Sequence, residues 1–218
     1  MSDTGERALR IKKVIGKVLI VVDPQLDFME GGSLPVKGGL ALVPRINDLM
    51  ARGDYDLIII SKDCHPKGHY SFASRHDKKV GEVITRNGYL QLLFEDHCVI
   101  GTDGTLIHPD LDMSRVALII MKGMDINVDS FSAFFSAPDE NGYRQPTGLS
   151  GFLEAFLITK EIDVVCLAFD FCVKATAIDA AQLGYKVRVL KYYCASVFPE
   201  NDNANIIELE RAGVRVVL

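Results

Sequence analysis

Six short runs of apolar, largely β-branched residues recur at positions 18–22, 57–60, 116–121, 164–167, 187–190 and 214–218. They run largely without hydrophobic–polar alternation, the pattern of strands covered on both faces of a parallel sheet. Helical spacing fills several of the intervals between them. Residues 40–51 set Leu42, Ile46, Leu49 and Met50 along one side, with Pro44 in the first turn and Gly53 as a stop. Residues 150–158 follow the cap-like Thr147 and Ser150, while 172–183 and 203–212 end at Gly184 and Gly213. Strand and helix in repetition predict an α/β fold. We expect a three-layer α/β/α arrangement, with a mostly parallel sheet of about six strands and helices on both faces. The 218 residues, 48% of them hydrophobic, supply material for one sizeable core. The expected organisation is one domain over residues 17–218 behind a charged, solvated tail at 1–16 that lacks the apolar stretch of a signal peptide.

Charge and cysteine usage exclude several function classes. The net charge is −5 and no long basic run exists, so neither nucleic acid nor an anionic membrane is an expected partner. The apolar runs are strand-length, too short to cross a bilayer. The five cysteines form no CxxC pair, which argues against a disulfide framework and a zinc–thiolate site. Free thiols suit a reducing, cytoplasmic setting.

Two long connections, 61–115 and 122–148, leave the ends of expected strands with little periodicity, as functional loops do. A third strand ends just before Cys172. In a doubly wound sheet all three exits meet at the carboxyl rim, where ligands bind. Cys172 falls at the turn from strand into helix, where orphan N–H groups favour a thiolate. A lone cysteine is more often a small core residue, so its neighbours decide. Asp23, in VVDPQLDF, stands where the first strand stops, able to reach the same crevice or merely to cap a turn. Lys122 stands at the exit of another strand, where an ammonium lowers a nearby thiol's pKa or is simply solvated. Phe28 reads as a pocket wall or a core residue. Asp63, His65, His69 and His97 combine carboxylate and imidazole in one connection, a set that suits a divalent metal with open positions. Cys64 and Cys98 read as packing residues. The glycine-rich GGSLPVKGG at 31–39 lacks phosphate-loop spacing and reads as a mobile loop.

The segments VVDPQLDF, DCHPKGHYSF, DHCVIGT, KGMDINVDSFSAF and LAFDFCVKATAIDA, in this order and spacing, resemble the isochorismatase-like cysteine hydrolases, and within them the nicotinamidases. The resemblance covers most of residues 17–217. It implies a catalytic triad of Asp23, Lys122 and Cys172, and a metal, most readily Zn2+, held by Asp63, His65 and His97. His69 is a ligand in some members and stands behind the ligands in others. It further implies a cis peptide at Leu167–Ala168, an oxyanion hole from the N–H groups of Ala168 and Cys172, and a substrate ring sandwiched by Phe28 and Phe94. The chain departs from the family pattern at Phe94-Glu95-Asp96, where Trp-Pro and a variable residue are usual. It departs again at Cys166, where glycine is common, and at Tyr192, where an acid is usual.

The implied activity is hydrolysis of nicotinamide to nicotinate and ammonia through a cysteine thioester. A relative acting on an N-carbamoyl or other small amide is the alternative within the enzyme class, and a catalytically idle binding subunit is the alternative outside it. The expected partner is a small-molecule substrate, and the chain is compatible with homo-oligomer formation.

Overall fold

A computed structural model describes residues 16–52, 54–86, 88–156 and 160–218. The tail expected at 1–16 lies outside the described residues except for Gly16, as do the helix stop expected at Gly53 and the last residues of the helix expected at 150–158.

The six expected runs are six parallel strands, arranged β5-β2-β1-β6-β7-β8. They are β1 (Lys17–Val22), β2 (Leu57–Asp63), β5 (Val116–Lys122), β6 (Glu161–Cys166), β7 (Lys186–Cys194) and β8 (Arg215–Val217). β3 (Val83–Arg86) and β4 (Tyr89–Leu92) form a separate antiparallel hairpin inside the first long connection. The sequence reading missed it because its strands are only four residues long and partly exposed, without the longer apolar run that marks the main sheet.

Among the described residues four α-helices cover the sheet: α1 (Gly39–Ala51), α2 (Leu149–Phe156), α3 (Lys174–Gln182) and α4 (Asp202–Arg211). The chain moves one way from β1 through β2 to β5, and the other way from β6 through β7 to β8. Right-handed crossovers then set α1 on one face and α2, α3 and α4 on the other. The point of reversal lies between β1 and β6, where an open α/β sheet opens its ligand crevice. β1 and β6 are accordingly the best-buried strands, with Val18 to Val22 and Val164 to Leu167 at no exposure.

At the opposite, amino-terminal rim, Asp163 of β6 fastens the sheet. Arg188 of β7 donates to it twice at 2.7 Å, the Tyr55 hydroxyl donates at 2.6 Å, and the Lys17 ammonium lies 3.0 Å away. Burial disfavours the charge, but the hydrogen bonds from Arg188, Tyr55 and Lys17 outweigh it and hold the carboxyl below its usual range. A depressed carboxyl adds stability above its unfolded pKa of about 4 and loses it as pH falls through the folded value. Asp163→Ala should therefore cost about 2 kcal/mol in urea unfolding at pH 7. The difference from wild type should stay flat down to about pH 5 and shrink below about pH 4. A difference that instead grew towards low pH would contradict this account.

Candidate active site

The first strand stops because Asp23 turns into a left-handed conformation, φ 48°, ahead of Pro24. Its side chain is wholly buried. The Ser61 hydroxyl of β2 donates to Asp23 Oδ1 at 2.7 Å, and the Lys122 Nζ at the end of β5 lies 2.9 Å from Oδ2. Lys122 is itself 2% exposed. Its ammonium also lies 3.0 Å from Asp63 Oδ1, donates to the Ser130 carbonyl at 3.0 Å, and reaches Cys172 Sγ at 3.4 Å. Carboxylate oxygens of Asp23 and Asp63 and the Cys172 sulfur lie within 4.8 Å of one another. Four strand ends thus deliver two acids, one amine and one thiol to one buried point.

The electrostatics differ from the expectation of a resting thiolate. Cys172 occupies a single π-turn (Phe169–Val173) that leads into α3. Burial pushes its thiol up, and the nearby Lys122 charge does not offset this. Burial likewise raises the Asp23 carboxyl against the pull of Lys122. For Lys122, burial works against the charge, but Asp23 and Asp63 hold the ammonium on. The arrangement at rest is a thiol next to a proton-accepting carboxyl, with a fixed cation touching both.

Beside this point, Asp63 Oδ2 lies 3.3 Å from His65 Nε2 and 4.0 Å from His97 Nε2. The far nitrogens of both rings face backbone carbonyls: His65 Nδ1 sits 3.0 Å from the Gly123 oxygen, and His97 Nδ1 sits 2.7 Å from the Glu95 oxygen. Donation from Nδ1 fixes the tautomer and leaves Nε2 with a bare lone pair. Two nitrogen lone pairs and a carboxylate oxygen then converge within 4.8 Å, which a divalent cation satisfies. The residues present fit a metal. His69 stacks on His65 with centroids 4.1 Å apart, but its ligand atoms group with His65 and Asp129 instead of Asp63 and His97. Burial, reinforced by His65, pushes its pKa down to about 4.

A cleft opens over the sulfur. Phe28 and Phe94 both line it, as do Ala168 and Cys172. The Leu167–Ala168 peptide is cis. The cleft is also walled by Phe131 and Phe171, and Asp129 faces it, none of which the sequence reading named. Phe171 precedes the nucleophile candidate directly, and Phe131 and Asp129 lie in a segment that carried the family resemblance, so adjacency was the available signal.

The departures from the family pattern have local explanations. Glu95 serves His97 through its backbone, and both acids are exposed; Asp96 accepts from the Ser74 hydroxyl at 2.5 Å. Tyr192 is 60% exposed, with the Arg45 guanidinium of α1 4.6 Å from its ring centroid. Cys166 has φ 91°, a conformation that glycine adopts freely and cysteine does not, which accounts for the glycine common at this position. The stretch 31–39 is tied down: Glu30 accepts from the Gly38 and Leu40 N–H groups at 2.7 and 2.9 Å, and Leu34 and Val36 reach the cleft.

Gly123 follows Lys122 with φ 71°, and a β-carbon there would stand 2.6 Å from His65 Cε1 and 2.8 Å from Asp63 Oδ1. Gly123→Ala should therefore displace the two side chains best placed to hold a cation. We expect bound divalent metal, read by elemental analysis, to fall at least about tenfold while circular dichroism stays that of wild type. Full metal content in that variant would contradict the assignment.

The chain matches the Isochorismatase domain family over residues 17–218. It is 38% identical over 203 residues to the nicotinamidase of Escherichia coli K12, covering 90% of this chain and 92% of that one. PnC1 from L. infantum, solved in complex with nicotinate, superposes with a TM-score of 0.79 at 33% identity, covering 96% of each chain. The pyrazinamidase of Pyrococcus horikoshii, solved in complex with zinc, superposes with a TM-score of 0.71 at 29% identity, covering 92% of this chain and 98% of that one. A buried acid, amine and thiol at the carboxyl rim of this sheet, joined to a family match over residues 17–218, place the chain in the isochorismatase family.

Proposed function

We propose that the chain is a nicotinamidase, converting nicotinamide and water to nicotinate and ammonia. The observation that carries the reading is the Lys122 ammonium, 2.9 Å from the Asp23 carboxylate and 3.4 Å from the Cys172 sulfur at the foot of an aromatic-walled cleft. In the first half-reaction Asp23 takes the thiol proton and Sγ adds to the carboxamide carbon. The N–H groups of Ala168 and Cys172 receive the developing oxyanion, each worth about 3 kcal/mol to the transition state. Asp23 then returns the proton to the amide nitrogen, the C–N bond breaks, and ammonia leaves a thioester. In the second, Asp23 takes a proton from water, the hydroxide oxygen adds to the thioester carbon, and the C–S bond breaks to give the acid and the thiol. Lys122 holds the carboxylate in place and balances the charge on sulfur.

Phe28 and Phe94 present flat faces to the substrate ring. Asp63, His65 and His97 would hold the metal, with His69 packed behind His65. When bound, the ion supplies a positive anchor for the lone pair of a pyridine nitrogen, which orients the ring. The nitrogen–nitrogen–oxygen donor set and the zinc held by the P. horikoshii relative support zinc as that ion. The five cysteines are free, which fits a cytoplasmic location. Among the described residues no helix is long and apolar enough to cross a membrane.

Cys172→Ala should lower ammonia release from nicotinamide by about a thousandfold or more while leaving the circular dichroism spectrum and metal content unchanged. Substantial turnover in that variant would remove the covalent step. Replacing His65 or His97 by Ala should deplete the metal, and undiminished metal in both variants would count against these ligands.

A further inference from the structure

Asp129 is an acid of the cleft that the reaction above leaves without a task. It is 6% exposed and lines the cleft together with Phe131 and Cys172. Its orientation is set from outside. Gln91, half-buried on β4, donates from Nε2 to Asp129 Oδ2 at 2.8 Å, and the same nitrogen donates to the Leu92 carbonyl at 2.8 Å. With acceptors on both sides, the amide group has one consistent orientation. The Ser130 N–H donates to Asp129 Oδ1 at 2.7 Å, and the Ser130 carbonyl accepts from Lys122. Both Asp129 oxygens therefore accept from N–H donors, the pattern of a carboxylate.

The charges around the cleft give this acid a purpose. Below its floor the Lys122 charge is met by the Asp23 and Asp63 carboxylates, and a divalent cation held by Asp63, His65 and His97 would leave this cluster net positive. An amide substrate is neutral and its product is an anion, so that net positive charge favours retaining the product over taking up the next substrate. A fixed negative charge facing the same space opposes that bias. Most of the remaining wall is aromatic or aliphatic, so the charge is poorly screened. We infer that Asp129 sets the preference of this cleft for the neutral carboxamide over the carboxylate product, and that Gln91 is the positioning residue that holds Asp129 in place. The inference rests on the amidase reading and extends it to product release. It also gives the hairpin β3–β4 a role, since the Gln91 side chain joins that hairpin to an acid of the cleft.

Calorimetric titration of nicotinate and of nicotinamide into the metal-loaded protein tests this, with the amide measured in a Cys172→Ala background so that it is not consumed. Asp129→Asn should tighten nicotinate about tenfold or more and change nicotinamide affinity less than about threefold. Asp129→Glu, which keeps the charge, should preserve the wild-type ratio. Gln91→Ala should shift the ratio in the same direction as Asp129→Asn by a smaller factor, and it carries the test alone if Asp129→Asn does not fold. Unchanged or weaker nicotinate binding in Asp129→Asn, or parallel loss of both ligands, would overturn the inference. Failure of the wild-type protein to release ammonia from nicotinamide would instead remove the amidase reading itself.

Discussion

A lysine ammonium buried to 2% exposure is the interaction on which this molecule turns. A charge taken out of water at that depth survives only if oppositely charged groups surround it with good geometry. Asp23 at 2.9 Å and Asp63 at 3.0 Å supply that surrounding, and the Ser130 carbonyl takes a third direction. Two acids and one base leave the cluster one negative charge in excess if every carboxyl ionises. Burial raises both the Asp23 carboxyl and the Cys172 thiol, so each holds a proton more readily than it would in water. The machinery for moving a proton and the means of stabilising a buried lysine are the same set of atoms.

The sheet makes this possible by bringing distant segments to one edge. Asp23 and Asp63 leave adjacent strands, fastened where Gln25 bridges them: its side chain donates to the Asp63 carbonyl at 2.8 Å and accepts from the Asp63 N–H at 2.6 Å. The loop that follows Lys122 is anchored on the opposite layer by Arg144, whose two terminal nitrogens meet the Asp179 carboxylate of α3 at 2.8 and 2.7 Å. A bidentate pair of this kind fixes direction as well as distance. Rigid strands therefore carry the chemistry, and loops pinned by buried polar contacts carry the walls of the cleft.

The parallel sheet, its six strands and the convergence of Asp23, Lys122 and Cys172 were legible in the sequence because each rests on an apolar run and the residue that ends it. What depends on side-chain company at short range was not. Asp129 looks like any loop acid until Gln91 is seen to hold it, and nothing in the spacing of a short, partly exposed hairpin announces that contact. Gly123 reads as an ordinary strand-end glycine until its neighbours His65 and Asp63 are placed around it. The resting state of Cys172 was misjudged for a related reason: a helix start and a nearby lysine are visible in a sequence, whereas the depth of burial that outweighs them is a property of the whole fold. The conformation of Cys166 likewise belongs to the backbone path and not to the residue.

Asp63 belongs to two neighbourhoods at once: one oxygen faces Lys122 and the other faces His65 and His97. If a cation sits on Asp63, His65 and His97 as proposed, a chelated sample is more than the native protein minus an ion. With the cation gone, the carboxylate's full charge becomes available to the lysine, and the proton-sharing partners one step further on feel the change. Rates measured on stripped protein would then report an altered acid–base centre together with an emptied binding pocket, and restoring the ion would repair both at the same moment.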